Sequence, residues 1–248
     1  MSLVVFGAVR SSPGTTTAAL AVSASLPGAT FVDADPDGGC ISARFGLAPE
    51  PNVATLAAAA RAGLTAPSLD EHVQPLPGGL TAVTGLASPD RSAGLWRSAG
   101  ASIAAALGTI DDRVVVADVG RMTPSTPVQP LVAAAHIRVV VVRPEVEELY
   151  PLAQRASVLQ ELGPVCVALV GDHPYGPDEV ARHVGLPVAG VIALDRRAAD
   201  ALAGKGPSGR WSARSRLART ARELAETLSR QLSKRAPDDE VHATEVSA

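Results

Sequence analysis

The chain has 248 residues, of which 46% are hydrophobic and 19% charged, and its formal net charge is −3. That length fits one large α/β domain or two small ones and supports a hydrophobic core, which excludes a chain disordered throughout. A pI near 6.0 gives no field for non-specific DNA binding, and two cysteines, Cys40 and Cys166, cannot staple a chain of this size.

In chain order, Leu3–Phe6 reads as a buried strand, followed by a Gly/Ser/Pro loop and a helix over Thr15–Leu26. Thr30–Asp33 is a second strand, ending on carboxylates. A helix is expected over Asn52–Ala62, a strand over Leu80–Thr84 and a long helix over Pro89–Leu107. Arg113–Asp118 and Ile137–Val142 are continuous apolar strands, and a helix is expected over Glu145–Leu162. Val165–Val170 and Val188–Ile192 are the last strands. Continuous apolar strands alternating with helical segments predict a doubly wound α/β fold, a mainly parallel sheet with helices on both faces. Ligands of such sheets sit beyond the carboxyl ends of the strands. Arg10–Thr17, Asp33–Gly39 and Asp118–Thr123 collect polar residues there.

Gly204–Arg210 reads as a loop and Ser212–Leu232 as an amphipathic helix. Leu217, Ala221, Leu224, Ala225, Leu228 and Leu232 share one face at helical spacing. Packing of that helix on the domain is the plainer expectation. Docking on a partner or membrane surface is the sharper one, weakened toward membranes by an apolar face without Phe or Trp. The expected organisation is a domain over 1–205, a linker and packed helix over 206–235, and a disordered polar tail over 236–248.

Other chemistry finds little support. Cys40 and Cys166 read as small apolar fillers. His72, His136, His173, His183 and His242 have no neighbouring Cys or His at metal-ligand spacing, so no zinc site is expected. There is no G-x-S-x-G elbow and no G-x-G-x-x-G loop, which argues against a serine hydrolase and a Rossmann dehydrogenase. Trp96 and Trp211 read as packing residues, with an interface role as the alternative for Trp211. The N-terminus has no basic region and only a short apolar run, and no segment offers the ~20 apolar residues of a membrane span. A cytoplasmic location is therefore expected, with peripheral recruitment to a membrane-associated machine as an extension.

The loop Gly7–Thr17 suits an anion, because its backbone N–H groups and the following helix N-terminus both favour negative charge. Thr16 or Thr17 can offer a hydroxyl to Mg²⁺. What is missing is the lysine of a P-loop: the only lysines are Lys205 and Lys234. Asp33, Asp35 and Asp118 stand at strand tips beside this loop, where Mg²⁺ coordination and water positioning need carboxylates. Singly, each Asp is more often a helix cap or a turn residue.

These segments together resemble the ParA/MinD family of deviant Walker A ATPases, over roughly residues 1 to 232. The family loop K-G-G-x-G-K-[ST]-T aligns with Arg10-Ser11-Ser12-Pro13-Gly14-Thr15-Thr16-Thr17. The resemblance places Arg10 at the signature-lysine position, which reaches across a dimer, and Thr15 at the P-loop lysine. It makes Thr16 the Mg²⁺ hydroxyl and 11–17 the phosphate-binding residues. Asp33-Ala34-Asp35-Pro36-Asp37-Gly38-Gly39 resembles the D-x-D-P-x-G-G switch, which casts Asp35 as the water-positioning residue. Asp118 resembles the Walker B aspartate, and with Asp33 and Thr16 it forms the implied Mg²⁺ set. Val140–Glu145 and Gly185–Gly190 resemble later family segments, and Asp195 with Arg196 and Arg197 resembles the segment against adenine.

The resemblance implies ATP or ADP with Mg²⁺ as cofactors, a homodimer, and weak or absent hydrolysis, because Thr15 cannot supply the lysine's charge. Within the superfamily, the loop looks like that of the TadZ/CpaE branch. That implies a spatial organiser docking on a pilus or secretion ATPase or on a polar landmark protein. The alternatives are a slow ATPase that partitions DNA or cargo, and a nucleotide-free scaffold. The low basic charge argues against direct DNA binding, although Arg210, Arg214, Arg216, Arg219 and Arg222 form a local patch.

Overall fold

The computed structural model describes residues 2–10, 13–63, 66–108, 110, 113–205 and 213–234. Ser11, Ser12, Arg210, Trp211 and the expected tail over 236–248 lie outside the described residues, as does most of the linker. The chain begins with β1 (Ser2–Ala8), α1 (Thr15–Ser23), β2 (Thr30–Asp33), α2 (Ile41–Phe45) and α3 (Val53–Arg61). A single turn α4 (Ala66–Leu69), a 3₁₀ turn (Asp70–His72), β3 (Gln74–Pro75) and β4 (Thr81–Val83) follow. The second part runs α5 (Pro89–Gly108), β5 (Val114–Arg121), α6 (Gln129–Ala134), β6 (Ile137–Val142), α7 (Val146–Ala153) and α8 (Ala156–Glu161). It closes with β7 (Val165–Val170), α9 (Pro177–Val184), β8 (Val188–Ile192), α10 (Arg196–Leu202) and α11 (Arg216–Ser233).

The eight strands form one sheet in the order β3-β4-β2-β5-β1-β6-β7-β8. All pairings are parallel except that of the edge strand β3 with β4. The expected doubly wound α/β architecture is what the chain adopts. Parallel strands covered on both faces need apolar side chains in both directions, and β1 shows it residue by residue. Leu3 and Val5 face a core layer built with α3, α5, α6, α7, α8 and α9. Val4 and Phe6 face the opposite layer, built with α1, α10 and α11. Trp96 is fully buried in the first layer, as expected of a packing residue.

Several boundaries differ from the sequence reading, the last helix for one beginning at Arg216, and three of the differences have a local cause. The expected helix over Glu145–Leu162 is two helices, because Pro151 lies inside α7, lacks a donor and crowds the preceding turn. The helix expected to reach Leu26 stops at Ser23. There the Ser23 and Ser25 hydroxyls turn back onto the carbonyls of Ala19 and Ala21, at 2.8 and 2.9 Å. Strand β5 runs past Asp118 to Arg121, where it pairs with Ala8 after a register shift.

The last helix packs as its apolar face demands. Leu217, Ala221, Leu224, Ala225 and Leu228 are buried against β8, α1 and α10. Ser215 caps its start through Ala218 N–H at 3.0 Å. Thr220 Oγ1 accepts from Ala193 N–H at 3.0 Å, tying α11 to the end of β8.

Candidate functional site

Strands β1, β2 and β5 are adjacent in the sheet, so their carboxyl ends open into one place. Asp33 of β2 is paired in register with Asp118 of β5, and Phe6 of β1 with Asp118 on the other side. The chain then turns through Pro13 and Gly14 into α1. Gly14 is the helix N-cap, in the left-handed region at φ 104°, and no side chain caps the helix. The first turn therefore presents its backbone N–H groups and the positive end of its dipole outward.

A cleft of about 560 Å³ lies over this junction. It is lined by Gly14, Thr15, Thr16 and Thr17 from α1 and by Asp35, Asp37, Gly38, Cys40 and Arg44 from the β2–α2 segment. Asp118, Gly120 and Arg121 from β5 complete it. The Thr16 hydroxyl is hydrogen-bonded to the Asp118 carboxylate. That pairing brings together a hydroxyl and a carboxylate of the kind that hard divalent cations take.

The β2–α2 segment is tied at several points. Asp35 Oδ1 accepts from Asp37 N–H at 2.9 Å, and the Asp35 carbonyl accepts from the Ser92 hydroxyl at 2.8 Å. The Asp35 carboxylate lies against Gly120, where a Cβ would collide with it and where φ is +61°. Gly39 and Gly85 meet backbone to backbone, and a Cβ on Gly39 would lie 2.7 Å from Asp33 Oδ2. Glycine at these positions lets three loops close over Asp33.

Electrostatically the cleft floor is acidic. Burial pushes the Asp118 carboxyl up to about 7, aided by the charges of Asp33 and Asp35 and opposed by Thr16 and the Gly120 N–H. Burial, with the Asp35 charge adding to it, raises Asp33 to about 6 against hydrogen bonds from Ile41, Cys40 and Gly85 N–H. Asp35 is raised by burial, with Arg121 pulling the other way. Arg121 bonds Asp37 Oδ2 at 2.7 Å across the cleft.

The residues singled out from sequence fall into three groups. Gly14, Thr15, Thr16, Thr17, Asp35 and Asp118 converge on the cleft. Asp33 sits beneath it, with Oδ2 already bonded to Cys40 and Ile41 N–H at 2.9 and 3.1 Å, so it anchors the start of α2. Pro13 is buried and Arg10 is exposed at the end of β1; neither lines the cleft. Asp195 caps α10 through Ala198 N–H at 3.0 Å, and Arg196 is the first residue of that helix. Both stand beyond the carboxyl end of β8, outside the cleft lining.

Two residues that sequence reasoning passed over line the cleft, Arg44 and Arg121. Arg121 was legible as the residue after Asp118-Val119-Gly120. Arg44 becomes visible only when α2 folds back over the strand ends. Cys40 packs half-buried against the second core layer and also lines the cleft, and burial lifts its thiol to about 11. Cys166 is a filler, buried in β7 with its thiol raised to about 12 by burial.

Among the described residues no group of three or more His, Cys, Asp and Glu could hold a metal ion by itself. A cation here would rely on Thr16, Asp118 and oxygens brought by a ligand. Of the terminal arginine patch, Arg214, Arg216, Arg219 and Arg222 are exposed, and Arg219 pairs with Glu223 at 3.3 Å. No described helix is long and apolar enough to cross a membrane.

No protein-family model and no curated protein matches the chain. Solved structures do. A ParA family ATPase from Chlorobium tepidum TLS superposes with a TM-score of 0.74 at 15% identity, covering 90% of this chain and 97% of that one. The cell division ATPase MinD of Pyrococcus furiosus gives 0.73 at 16% identity, covering 92% and 98%. MinD of Pyrococcus horikoshii, solved with Mg-ADP, gives 0.70 at 14% identity, covering 92% and 95%. At these identities the likeness speaks for architecture: the chain has the fold of the MinD and ParA P-loop ATPases over nearly its whole described length.

Proposed function

We propose that the chain is a ParA/MinD-type protein with a degenerate Walker A loop, which binds ATP or ADP with Mg²⁺ weakly and hydrolyses it slowly or not at all. The observation that carries this reading is the Thr16–Asp118 pair at the open N-terminus of α1, inside a cleft with no lysine in its lining. The residues fit the ligand: uncapped N–H groups suit phosphate, and the hydroxyl–carboxylate pair suits Mg²⁺, which would supply positive charge at the phosphate oxygens. Thr15 occupies the position of the phosphate-clamping lysine, and losing such a charge-assisted contact costs about 1.5–3 kcal/mol. Asp35, held at the cleft by Gly120 and Asp37 N–H, is the water-positioning residue of whatever turnover remains. In this reading Asp33 supports the metal side from beneath, and Asp195 and Arg196 face the base.

A protein that binds nucleotide and barely turns it over works by assembly. The role proposed here is that of a spatial organiser of the TadZ/CpaE kind, a homodimer that docks on a pilus or secretion ATPase or on a polar landmark protein. Thermal unfolding of the full chain with ATP, ADP and Mg²⁺ tests the binding. A ligand at 100 times its dissociation constant stabilises the fold by about 2.7 kcal/mol, which for a chain of this size raises Tm by several degrees. ATP turnover should stay below about 1 s⁻¹, under the usual enzyme range. Faster turnover that Asp35→Ala abolishes would make the protein an active ATPase. No thermal shift at millimolar nucleotide would leave a nucleotide-free scaffold.

A further inference from the structure

The floor of the cleft carries Asp35, Asp37 and Asp118, and Asp33 lies beneath it. A polyphosphate entering there meets like charge, which has to be offset by cations close at hand. The loop's one cation, Arg10, does not line the cleft, and neither does either of the chain's two lysines, Lys205 and Lys234. The cations that do line it are Arg44 and Arg121. They come from different elements: Arg44 from the last turn of α2, Arg121 from the end of β5. Arg44 makes no ion pair among the described residues. Arg121 points its guanidinium at the Asp37 carboxylate, 2.7 Å away. A carboxylate and a phosphate offer a guanidinium the same planar pair of oxygens.

Building on the nucleotide reading above, we infer that Arg44 and Arg121 together supply the positive charge that this lysine-free loop lacks, with Asp37 standing in for phosphate at Arg121 until a ligand displaces it. The exchange links ligand entry to the segment that carries Asp35, because Asp37 lies two residues beyond Asp35 and donates its N–H to it. Arg121 then leaves the Asp37 carboxylate for the ligand, and the β2–α2 segment loses that ion pair to β5 while the Ala34 N–H to Asp118 carbonyl bond remains.

Titration calorimetry of the full chain with inorganic tripolyphosphate and with Mg-ATP tests this. Arg44→Ala and Arg121→Ala should each weaken both ligands by about tenfold to a hundredfold. Arg44→Lys and Arg121→Lys should keep a large part of the affinity, and circular dichroism melts should show all four variants folded. Asp37→Ala should act in the opposite direction, tightening binding by up to about fivefold, the value of an exposed ion pair. In the Arg121→Ala background the same change should gain less.

Wild-type affinity in both Arg→Ala variants would overturn the inference, as would a loss confined to Arg10→Ala. An equal gain from Asp37→Ala in both backgrounds would overturn the exchange. A wild-type chain that binds neither ligand would overturn the nucleotide reading itself, a result distinct from the others.

Discussion

Asp118 shows how one residue can cost stability and still be kept at the floor of the cleft. Its carboxyl is buried and titrates near 7 instead of 3.8, and Asp33 beside it titrates near 6. Both groups hold a proton more tightly in the folded chain than in the unfolded one. Between about pH 4 and pH 7 the native state therefore carries more protons, and the stability they contribute falls as pH rises through that window. Above pH 7 the full cost of two buried charges is present. Asp118→Asn should accordingly raise the Tm of the metal-free protein at pH 8, and the gain should shrink as the pH is lowered to 5. Thermal melts of both chains across that range check it, each kcal/mol released being worth about 2–4 °C at this size. A gain that is constant with pH would mean that burial of the Asp118 charge is not its source. Thr16 and the Gly120 N–H offset part of the rise, and burial still outweighs them.

At the scale of elements, α11 separates a structural from a docking role for an amphipathic helix. Its buried stripe is Leu217, Ala221, Leu224, Ala225 and Leu228, and Leu224 packs against Gly190 of β8. The sequence periodicity that identified the stripe could not say what covers it. The tertiary structure covers it with β8, α1 and α10, so the helix completes the second core layer. Leu224→Ala should destabilise the chain by about 2–5 kcal/mol, as large-to-small changes at fully buried sites do. In urea this should lower the midpoint while leaving the slope unchanged. Helices α7 and α8 teach the reverse: their shared helical composition reads as one helix, and Pro151 was the unused signal that they would not form a single rod. Helix α9 went unread, although Pro177 at its first position, Asp178 and Glu179 in the first turn, and Gly185 after its end are start and stop signals carried by the chain.

For the whole molecule, sheet order decides what meets what. Asp33 and Asp118 are far apart in the chain and in register in the sheet, because β5 inserts between β1 and β2. The assembly reading belongs at this scale. A homodimer across the nucleotide face, with Arg10 at or near the interface, should form in Mg-ATP and be seen by sedimentation velocity. Arg10→Ala should weaken it without changing monomer Tm, since an exposed loop arginine contributes little to folding. A wild type that stays monomeric under every condition would refute the dimer, and an unaffected Arg10→Ala dimer would refute the role given to Arg10.

The strands were readable from the chain alone because parallel strands buried on both faces must be continuously apolar. Thr30–Asp33, Ile137–Val142, Val165–Val170 and Val188–Ile192 were accordingly found to the residue. That Gly14 to Thr17, Asp35 and Asp118 would gather at the strand ends was readable because each stands at or just past the end of an apolar strand. What the sequence could not decide was which of those residues share a surface. Asp33 and Asp35 differ by two positions. Even so, the first is bonded to the N-terminus of α2 under the cleft and the second lines it, a division set by the close approach of Gly39 to Gly85. Arg44 entered the site for the same reason. Its side chain reaches the cleft only because α2 packs beside the strand ends, and local spacing carries no record of a contact made across the fold.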